Sequence, residues 1–198
     1  MIFTGYKNPK IVHCYVHEGN KEILFSKEEC EKVIDWAEKK GFSPGKIVDR
    51  KGIVLSNEDI RRSKEVLINP FIPEEDIEWL VKRCGKIVDQ LNYQIWNFEI
   101  SRFSEIGILK YEPGDHFMLH TDLMPEHSDR KLGIIIQLSN SNDYEGGVLE
   151  LGFSPVENAS KNQGAMILFP SWYPHKVTPV TSGIRYCVAF FALGPSFR

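Results

Sequence analysis

From about residue 95 onward, the chain consists of short apolar runs separated by turn-forming residues. These runs are rich in β-branched and aromatic residues and cover Ile95–Ile100, Ile106–Tyr111, Gly133–Leu138, Val148–Leu151, Ala165–Phe169 and Tyr186–Leu193. The turn clusters between them lie at residues 112–115, 139–143, 146–147 and 174–183. Strands in series with such turns are typical of antiparallel sheets. The pattern therefore predicts an antiparallel sandwich or barrel in this half of the chain.

Two amphipathic helices are predicted before these strands. Ser26 and Glu29 have the sequence pattern of a capping box, and Gly41 supplies a stop for the helix. Between them, apolar residues recur at helical spacing at Cys30, Val33, Ile34 and Ala37. A second helix is predicted to open at Pro73, with an apolar stripe that extends to Leu91. Such stripes pack on a core, so we expect an α+β, mainly β fold with the N-terminal helices packed on one sheet.

Length and composition suit a single domain over residues 1–198, without a composition break to mark a linker. The formal net charge of -3 provides no basic tail or face, so no nucleic-acid partner is expected. The four cysteines are scattered without a CxxC pair, which indicates buried thiols rather than a disulfide framework or a zinc ribbon. With no signal-peptide core and no apolar stretch of membrane-spanning length, we expect a cytoplasmic protein with no membrane partner. The oligomeric state stays open.

Two histidines and an aspartate in the strand-rich half form a candidate metal site. His120 and Asp122 are separated by one residue, and alternate residues of an extended segment point to the same face. His175 would arrive from another strand. Two imidazoles and one carboxylate on one face of a metal ion leave three positions for small molecules, which is typical of non-haem iron(II) oxygenases. His116 also lies nearby, but it is expected to bind no metal because the ligand set is already complete.

Arg185 stands at the start of an apolar strand in this half. A guanidinium that points inward there needs an anionic partner. A dicarboxylate ligand offers one through a bidentate pair. Two alternatives remain open, namely that Arg185 lies in solvent at the strand edge or pairs with a protein carboxylate.

Other residues around this site are candidates for lining a cavity. Trp172 and Tyr173 precede His175 and would suit a substrate entrance, with core packing as an equal alternative. Glycines at 146–147 allow the backbone to enter the next strand tightly. We expect Leu149, on that strand, to face the metal cavity or a co-substrate.

Several ordered motifs over roughly residues 95–195 resemble those of the prolyl 4-hydroxylase-type 2-oxoglutarate/iron(II) dioxygenases. They are Tyr111-Glu-Pro-Gly-Asp-His-Phe-Met-Leu-His120-Thr-Asp122, Asp143-Tyr-Glu-Gly-Gly-Val-Leu-Glu150, Phe169-Pro-Ser and the run from His175 to Arg185. The resemblance implies a double-stranded β-helix, or jelly roll, as the catalytic core. The run Ile60-Arg-Arg-Ser63 stands where such proteins often carry a strand that leads into the long helix.

The same resemblance implies the cofactors and their ligands. Fe(II) would be held by His120, Asp122 and His175, with 2-oxoglutarate as co-substrate and ascorbate as an optional further cofactor. Arg185 would bind the distal carboxylate of 2-oxoglutarate, and Tyr111 would donate its hydroxyl to the same carboxylate.

Two further residues take roles from the resemblance. Thr178 would add a hydrogen bond close to the second histidine of the metal site. Arg130, ten residues after the first histidine, matches a substrate-side arginine of the group.

The implied activity is hydroxylation of a C–H bond with O2 as co-reactant, and the first-ranked substrate is a prolyl residue in a peptide or protein. Phe191 and Leu193 depart from the Trp and His that peptidyl-prolyl enzymes tend to carry. A small amino-acid-like substrate therefore ranks second, and a non-enzymatic metal-binding jelly-roll module third. Base-demethylating relatives usually carry a second arginine where this chain has Phe191, which counts against nucleic acid. A zinc hydrolase is disfavoured because no HExxH helix is present.

Overall fold

The computed structural model of this chain describes residues 12–14, 24–48 and 54–197. Two α-helices lie in the first half, α1 over Lys27–Lys40 and α2 over Glu75–Ile95. The Ser26 hydroxyl accepts from the Glu29 amide while the Glu29 carboxylate accepts from the Ser26 amide, so the predicted capping box is confirmed. Gly41 follows α1 with a φ of 80°, a left-handed value that glycine adopts without strain.

The strands are short and most of them lie in the second half. In chain order they are β1 Val12–Cys14, β2 Ser43–Pro44, β3 Ile47–Val48, β4 Val54–Leu55, β5 Arg61–Arg62, β6 Lys64–Ile68, β7 Arg102–Phe103, β8 Ile106–Tyr111, β9 His116–His120, β10 Arg130–Gln137, β11 Tyr144–Gly146, β12 Leu149–Leu151, β13 Glu157–Asn158, β14 Met166–Pro170, β15 His175–Val177, β16 Val180–Gly183 and β17 Arg185–Leu193. A 3-10 helix covers Pro125–His127.

These strands form two main antiparallel sheets. The larger sheet has the order β1-β14-β10-β17-β8-β6-β2, with β7 paired to β17. The smaller sheet has the order β13-β12-β15-β9-β5. Two further pairs, β3-β4 and β11-β16, lie outside these sheets. Strand β5 falls within the run Ile60–Ser63, where the resemblance implies a strand, and a further strand, β6, lies between it and α2.

Alternation of side chains along each strand divides the apolar residues between two core clusters. In β8, Ile106 and Ile108 belong to the cluster that contains the buried faces of both helices. Leu109 and Tyr111 of the same strand belong to a second cluster, which includes Leu149 and other residues of the smaller sheet. The helices therefore cover one face of the larger sheet, while the smaller sheet faces the other. The expected mainly β fold with helices packed on one sheet is confirmed.

The strand predicted over Ile95–Ile100 is wrong. Helix α2 continues to Ile95, and residues 97–100 belong to no regular element. The Asn92 side chain donates to the Phe98 carbonyl oxygen at 2.8 Å and accepts from the Phe98 amide at 3.0 Å. These bonds occupy the main-chain groups that a strand would offer to a neighbouring strand. The chain therefore folds back onto the helix end instead of entering a sheet.

The turn predicted over residues 174–183 is wrong in part, because this segment contains β15 and β16. Strand β15 is central in the smaller sheet, with β12 on one side and β9 on the other. Its partners are distant in sequence, so local turn residues such as Pro174 and Pro179 could not reveal it. His175 does arrive on another strand than His120, as expected.

Three of the four cysteines, Cys30, Cys84 and Cys187, are buried free thiols, as predicted. The side chain of Cys14 lies outside the described part. No helix in the described ranges is long and apolar enough to cross a membrane.

Candidate active site

Two neighbouring strands of the smaller sheet bring the predicted metal ligands together. His120 ends β9, His175 begins β15, and the pairing of these strands places the two residues opposite each other. Asp122 lies just beyond β9, where its amide donates to the Ser171 carbonyl oxygen at 2.9 Å. One ligand atom from each of the three side chains lies within 4.8 Å of the others.

Main-chain contacts fix which nitrogen of each imidazole faces this cluster. Nδ1 of His120 lies 2.8 Å from the Met118 carbonyl oxygen, and Nδ1 of His175 lies 3.0 Å from that of Tyr173. A carbonyl oxygen can only accept, so each Nδ1 carries the proton and each Nε2 presents a lone pair. The Nε2 atoms of His120 and His175 lie 3.6 and 3.5 Å from Oδ1 and Oδ2 of Asp122, respectively.

The Asp122 carboxylate is not satisfied by the protein alone. Its Oδ2 is buried and has no hydrogen-bond partner within the described residues. Burial, together with the neighbouring His175, lowers the pKa of His120 to about 4, so this imidazole is neutral at physiological pH. The carboxylate and the two nitrogen lone pairs are all electron-pair donors, so a bound cation would satisfy all three. The donor set of two imidazoles and one carboxylate fits Fe(II).

Aromatic rings pack against both imidazoles. Phe117 stacks on His120 with ring centroids 3.7 Å apart, and Phe169 lies 4.7 Å from His175. Phe169 stands opposite Gly133 on the neighbouring strand β10. The absent side chain at Gly133 leaves the space that both Phe169 and Asp122 occupy.

Replacing Gly133 by alanine is expected to weaken Fe(II) binding about tenfold and to lower the free energy of unfolding by about 1–3 kcal/mol. A Cβ at this position would lie 2.7 Å from a Phe169 ring carbon and 3.0 Å from Asp122 Oδ2, so both must shift. Gly107→Ala on the same sheet is the matched control, because the nearest atom to its Cβ would be the end of the flexible Leu109 side chain, at 3.3 Å. Anaerobic calorimetric titration and chemical denaturation measure the two effects. Equal metal affinities in both variants would contradict this prediction.

A second polar site lies around Arg185, which begins β17 opposite Tyr111 of β8. Arg185 is only 1% exposed, which excludes the alternative of a solvent-exposed strand end. Its Nη2 donates to Gln137 Oε1 at 3.0 Å, while Nε and Nη1 have no hydrogen-bond partner in the described part of the chain. The partner of this buried cation is a neutral amide, so the alternative of a protein carboxylate is not realised there either.

Tyrosine hydroxyls add to this donor-rich site. The Tyr144 hydroxyl is buried without a hydrogen-bond partner among the described residues. Burial raises the pKa of both Tyr111 and Tyr144, so both hydroxyls stay protonated and can donate. Unsatisfied donors gathered around a guanidinium are complementary to a carboxylate.

One cavity of about 450 Å³ between the two sheets joins the metal cluster to the Arg185 site. The predicted site residues that line it are His120, Asp122, His175, Arg185, Tyr111, Leu149 and Arg130. The expectation that Leu149 faces the cavity is confirmed.

Three other predicted residues do not line this cavity. The Thr178 hydroxyl instead accepts from the Val148 amide at 2.9 Å, just after β15. Trp172 makes edge contacts with Phe98 and Phe197, 5.8 and 5.4 Å between ring centroids. Tyr173 packs against the second core cluster. The geometry therefore favours packing over substrate contact for both aromatic residues.

Sequence reasoning missed Gln137 and Tyr144 beside Arg185, and Arg61 and Phe117 in the cavity wall. For Gln137 a signal was available, because it is a lone polar residue in an apolar strand, the same pattern that singled out Arg185. For Tyr144 no local signal exists, since β11 pairs with the distant strand β16 and the Tyr144 ring lies 4.0 Å from the ammonium of the distant Lys161.

Comparisons with known proteins agree with this geometry. The family model described as the 2OG-Fe(II) oxygenase superfamily matches residues 106–193. A PKHD-type hydroxylase from a Synechococcus species is 40% identical over 82 residues, which cover 38% of this chain and 37% of that protein. One from Sphingopyxis alaskensis is 33% identical over 122 residues, which cover 56% of this chain and 55% of that protein. The matches thus span about half or less of these curated relatives.

Solved structures show the same fold. A prolyl hydroxylase from Trichoplax adhaerens, in complex with a peptide fragment of the hypoxia inducible factor, has a TM-score of 0.71 and 20% identity, covering 93% of this chain and 84% of that chain. A prolyl-4-hydroxylase from Pseudomonas putida has a TM-score of 0.70 and 15% identity, covering 93% and 92%. The expected jelly-roll fold is confirmed.

Proposed function

We propose that this protein is a 2-oxoglutarate- and Fe(II)-dependent dioxygenase that hydroxylates a C–H bond, with a prolyl residue in a peptide or protein as its substrate. One observation carries this proposal. The cluster of His120, Asp122 and His175 opens into the same cavity as Arg185, whose buried guanidinium keeps two donors free. A metal site joined to a carboxylate site is what a metal-chelating dicarboxylate co-substrate requires.

In this proposal each residue has a defined task. His120, Asp122 and His175 hold Fe(II), and the Nδ1 contacts of both histidines keep their Nε2 atoms directed at it. Arg185 binds the distal carboxylate of 2-oxoglutarate. The bound metal supplies the redox chemistry that couples decarboxylation of this co-substrate, with O2, to hydroxylation of the substrate.

The protein also supplies a dry environment for that chemistry. The cavity wall around the two sites is built from apolar side chains, including Leu109, Leu149, Phe169 and Val177. These residues are buried and belong to the core cluster between the sheets. Excluding water from such a site strengthens its electrostatic interactions and limits side reactions.

The prolyl substrate is supported by the relatives. The curated relatives are named as PKHD-type hydroxylases, and the two structures described above are prolyl hydroxylases, one of them with a peptide bound. The cavity opens toward half-exposed Leu67, so a residue presented by a peptide has a path to the metal cluster.

The test is succinate formation from 2-oxoglutarate by the purified protein, with and without Fe(II). We expect iron-dependent turnover that is abolished in His120→Ala. His116→Ala is the matched control, because this histidine lies on the same strand but its ring nitrogens lie 3.3 Å from the Gly114 and Asp59 carbonyl oxygens. Absence of both turnover and 2-oxoglutarate binding in the wild type would reject the proposal in favour of a metal-binding module.

Replacing Tyr144 by phenylalanine is expected to weaken 2-oxoglutarate binding about tenfold, because a hydrogen bond to a charged group is lost. Stability should not fall, since the hydroxyl has no partner in the described protein. Tyr186→Phe is the control, because that hydroxyl donates to Glu38 on the outer side of β17. Calorimetric titration of both variants measures the difference. A Tyr144→Phe affinity equal to that of wild type would remove Tyr144 from the co-substrate site.

A further inference from the structure

Arg130 occupies a distinctive position in the cavity. It begins β10, and its guanidinium lies 4.0 Å from the centre of the Phe191 ring. Its Nη1 donates to the Asp122 carbonyl oxygen at 3.3 Å, next to the metal cluster. This is a main-chain acceptor, so it does not neutralise the charge.

A second arginine in the same cavity, Arg61, differs from Arg130 because it has an ionic partner. Arg61 donates to Ser63 Oγ at 2.9 Å and to the Lys46 carbonyl oxygen at 2.8 Å. It also pairs with Glu65 at 2.8 Å, so its donors are occupied and its charge is balanced. Arg130 has no such ion pair among the residues that the structure describes. It is therefore the arginine of this cavity that is free to bind a ligand other than the co-substrate.

The charges of the loaded site lead to the same conclusion. The two positive charges of Fe(II) and the charge of Arg185 balance the Asp122 carboxylate and the dianionic co-substrate. Of the other charged residues in the lining, Arg61 is balanced by Glu65, and Lys46 and Glu105 cancel in number, so the positive charge of Arg130 is left over. The guanidinium of Arg130 is half-buried, has no ionic partner in the described part of the chain and lies beside a loaded site whose charges sum to zero. It therefore favours a ligand with one negative charge.

The cavity floor has room for such a ligand. One row of paired residues across the larger sheet consists of Ile135, Ala189, Gly107 and Leu67. The two central residues of this row, an alanine and a glycine, have almost no side chain. This row lies next to Gly133 and Phe191, which face the metal cluster and Arg130. At its far end Leu67 is 50% exposed. The recess thus leads from solvent to a place beside the free guanidinium.

We propose that Arg130 binds a carboxylate of the substrate, so that the hydroxylated molecule is a carboxylate anion rather than a neutral segment of chain. The inference rests on the proposed function and narrows its substrate class. A planar carboxylate matches the edge of the guanidinium, and its single negative charge balances the single positive charge of Arg130. A phosphate dianion would bring one negative charge too many. The carboxylate has two chemical sources, the α-carboxylate of a proline at a chain end or free in solution, and an acidic side chain beside a proline within a peptide.

The test measures ligand binding to the protein loaded anaerobically with Fe(II) and 2-oxoglutarate, by calorimetry. One pair of probes is N-acetyl-L-proline and its primary amide. The other is an amidated peptide with an internal proline followed by aspartate, and the same peptide with asparagine. We expect one acidic probe to bind about 10–100-fold more tightly than its neutral counterpart. The pair that shows the preference identifies the source of the carboxylate.

Variants at Arg130 decide whether this residue is responsible. Arg130→Gln should reduce the preference to within about twofold and leave binding of the neutral probe unchanged. Arg130→Lys keeps the charge and should retain part of the preference, which guards against a general packing defect from loss of the Phe191 contact. Lys64→Gln, on the exposed side of the larger sheet, is the control for net charge.

Two results would overturn the inference. One is equal binding of acidic and neutral probes in both pairs by the wild type. The other is an equal loss of both probes in Arg130→Gln, which would give the residue a purely structural role. Iron-dependent succinate formation by the same wild-type preparation separates these results from a failure of the proposed function, because that turnover does not require the substrate carboxylate.

Discussion

Asp122→Asn is expected to stabilise the metal-free protein slightly and to weaken Fe(II) binding more than about 100-fold. The buried Oδ2 of Asp122 has no hydrogen-bond partner in the described residues, and it faces two imidazole lone pairs. An amide is neutral and can donate to one of these nitrogens, which removes an unfavourable buried charge. The same change removes the anionic member of the proposed metal ligands. Anaerobic calorimetry gives the affinity, and thermal unfolding with and without Fe(II) gives the stability.

Asp115→Asn is the matched control, because Asp115 and Asp122 side chains are both 7% exposed. Asp115 accepts from the Glu112 amide at 2.9 Å and pairs with Arg62 at 3.2 Å. Its replacement should therefore lower the unfolding temperature but keep the stabilisation by Fe(II). Asp122→Asn should instead raise the unfolding temperature of the metal-free protein slightly and lose the stabilisation by Fe(II). If Fe(II) still stabilised Asp122→Asn as strongly as wild type, the metal site would have to be placed elsewhere.

Arg185→Gln is expected to weaken 2-oxoglutarate binding about 100-fold, since the change removes a charge-assisted bidentate contact worth about 3 kcal/mol. The folded protein should not lose stability, because the buried guanidinium is only partly satisfied without a ligand. Arg185→Lys keeps the charge but loses the planar fork, so an intermediate loss of about tenfold is expected. Arg62→Gln is the control, as this arginine is exposed and lies outside the cavity lining.

A comparison of ligands tests the role of Arg185 directly. 2-Oxobutyrate shares the chelating end of 2-oxoglutarate but lacks the distal carboxylate. Wild type should discriminate between the two by about 100-fold, and Arg185→Gln should discriminate little. Equal discrimination by wild type and Arg185→Gln would assign the distal carboxylate to other residues. Calorimetry of the Fe(II)-loaded proteins measures all four affinities.

The sequence by itself determined the features that depend on local spacing. The capping box of Ser26 and Glu29 sets the start of α1, because both partners lie within one helical turn. The one-residue separation of His120 and Asp122 directs both toward the partner strand of His175. Arg185 stands out because a charge within an apolar strand requires a partner. Each of these conclusions needs only the periodicity of an element and the chemistry of its residues.

The tertiary structure decided what depends on pairing between distant segments. The amide of Gln137 meets Arg185 only because β10 and β17 pair in one register. Trp172, beside the metal ligands in sequence, turns toward Phe98 and Phe197 instead of the cavity. Strand register and side-chain packing result from many weak contacts across the fold, so no local pattern encodes them.

The same distinction applies to the two arginines of the cavity wall. In sequence, Arg61 and Arg130 are both cations within two residues of an aspartate, Asp59 and Asp129, respectively. In the fold, Arg61 reaches Glu65 while Arg130 lies on the face of Phe191. The charges that line the whole cavity decide which arginine of the described chain has no ionic partner. These charges come from both sheets, so they meet only in the folded protein. The sequence thus determines the donor set of the candidate metal site, and the tertiary structure determines which cation of the cavity has no ionic partner among the described residues.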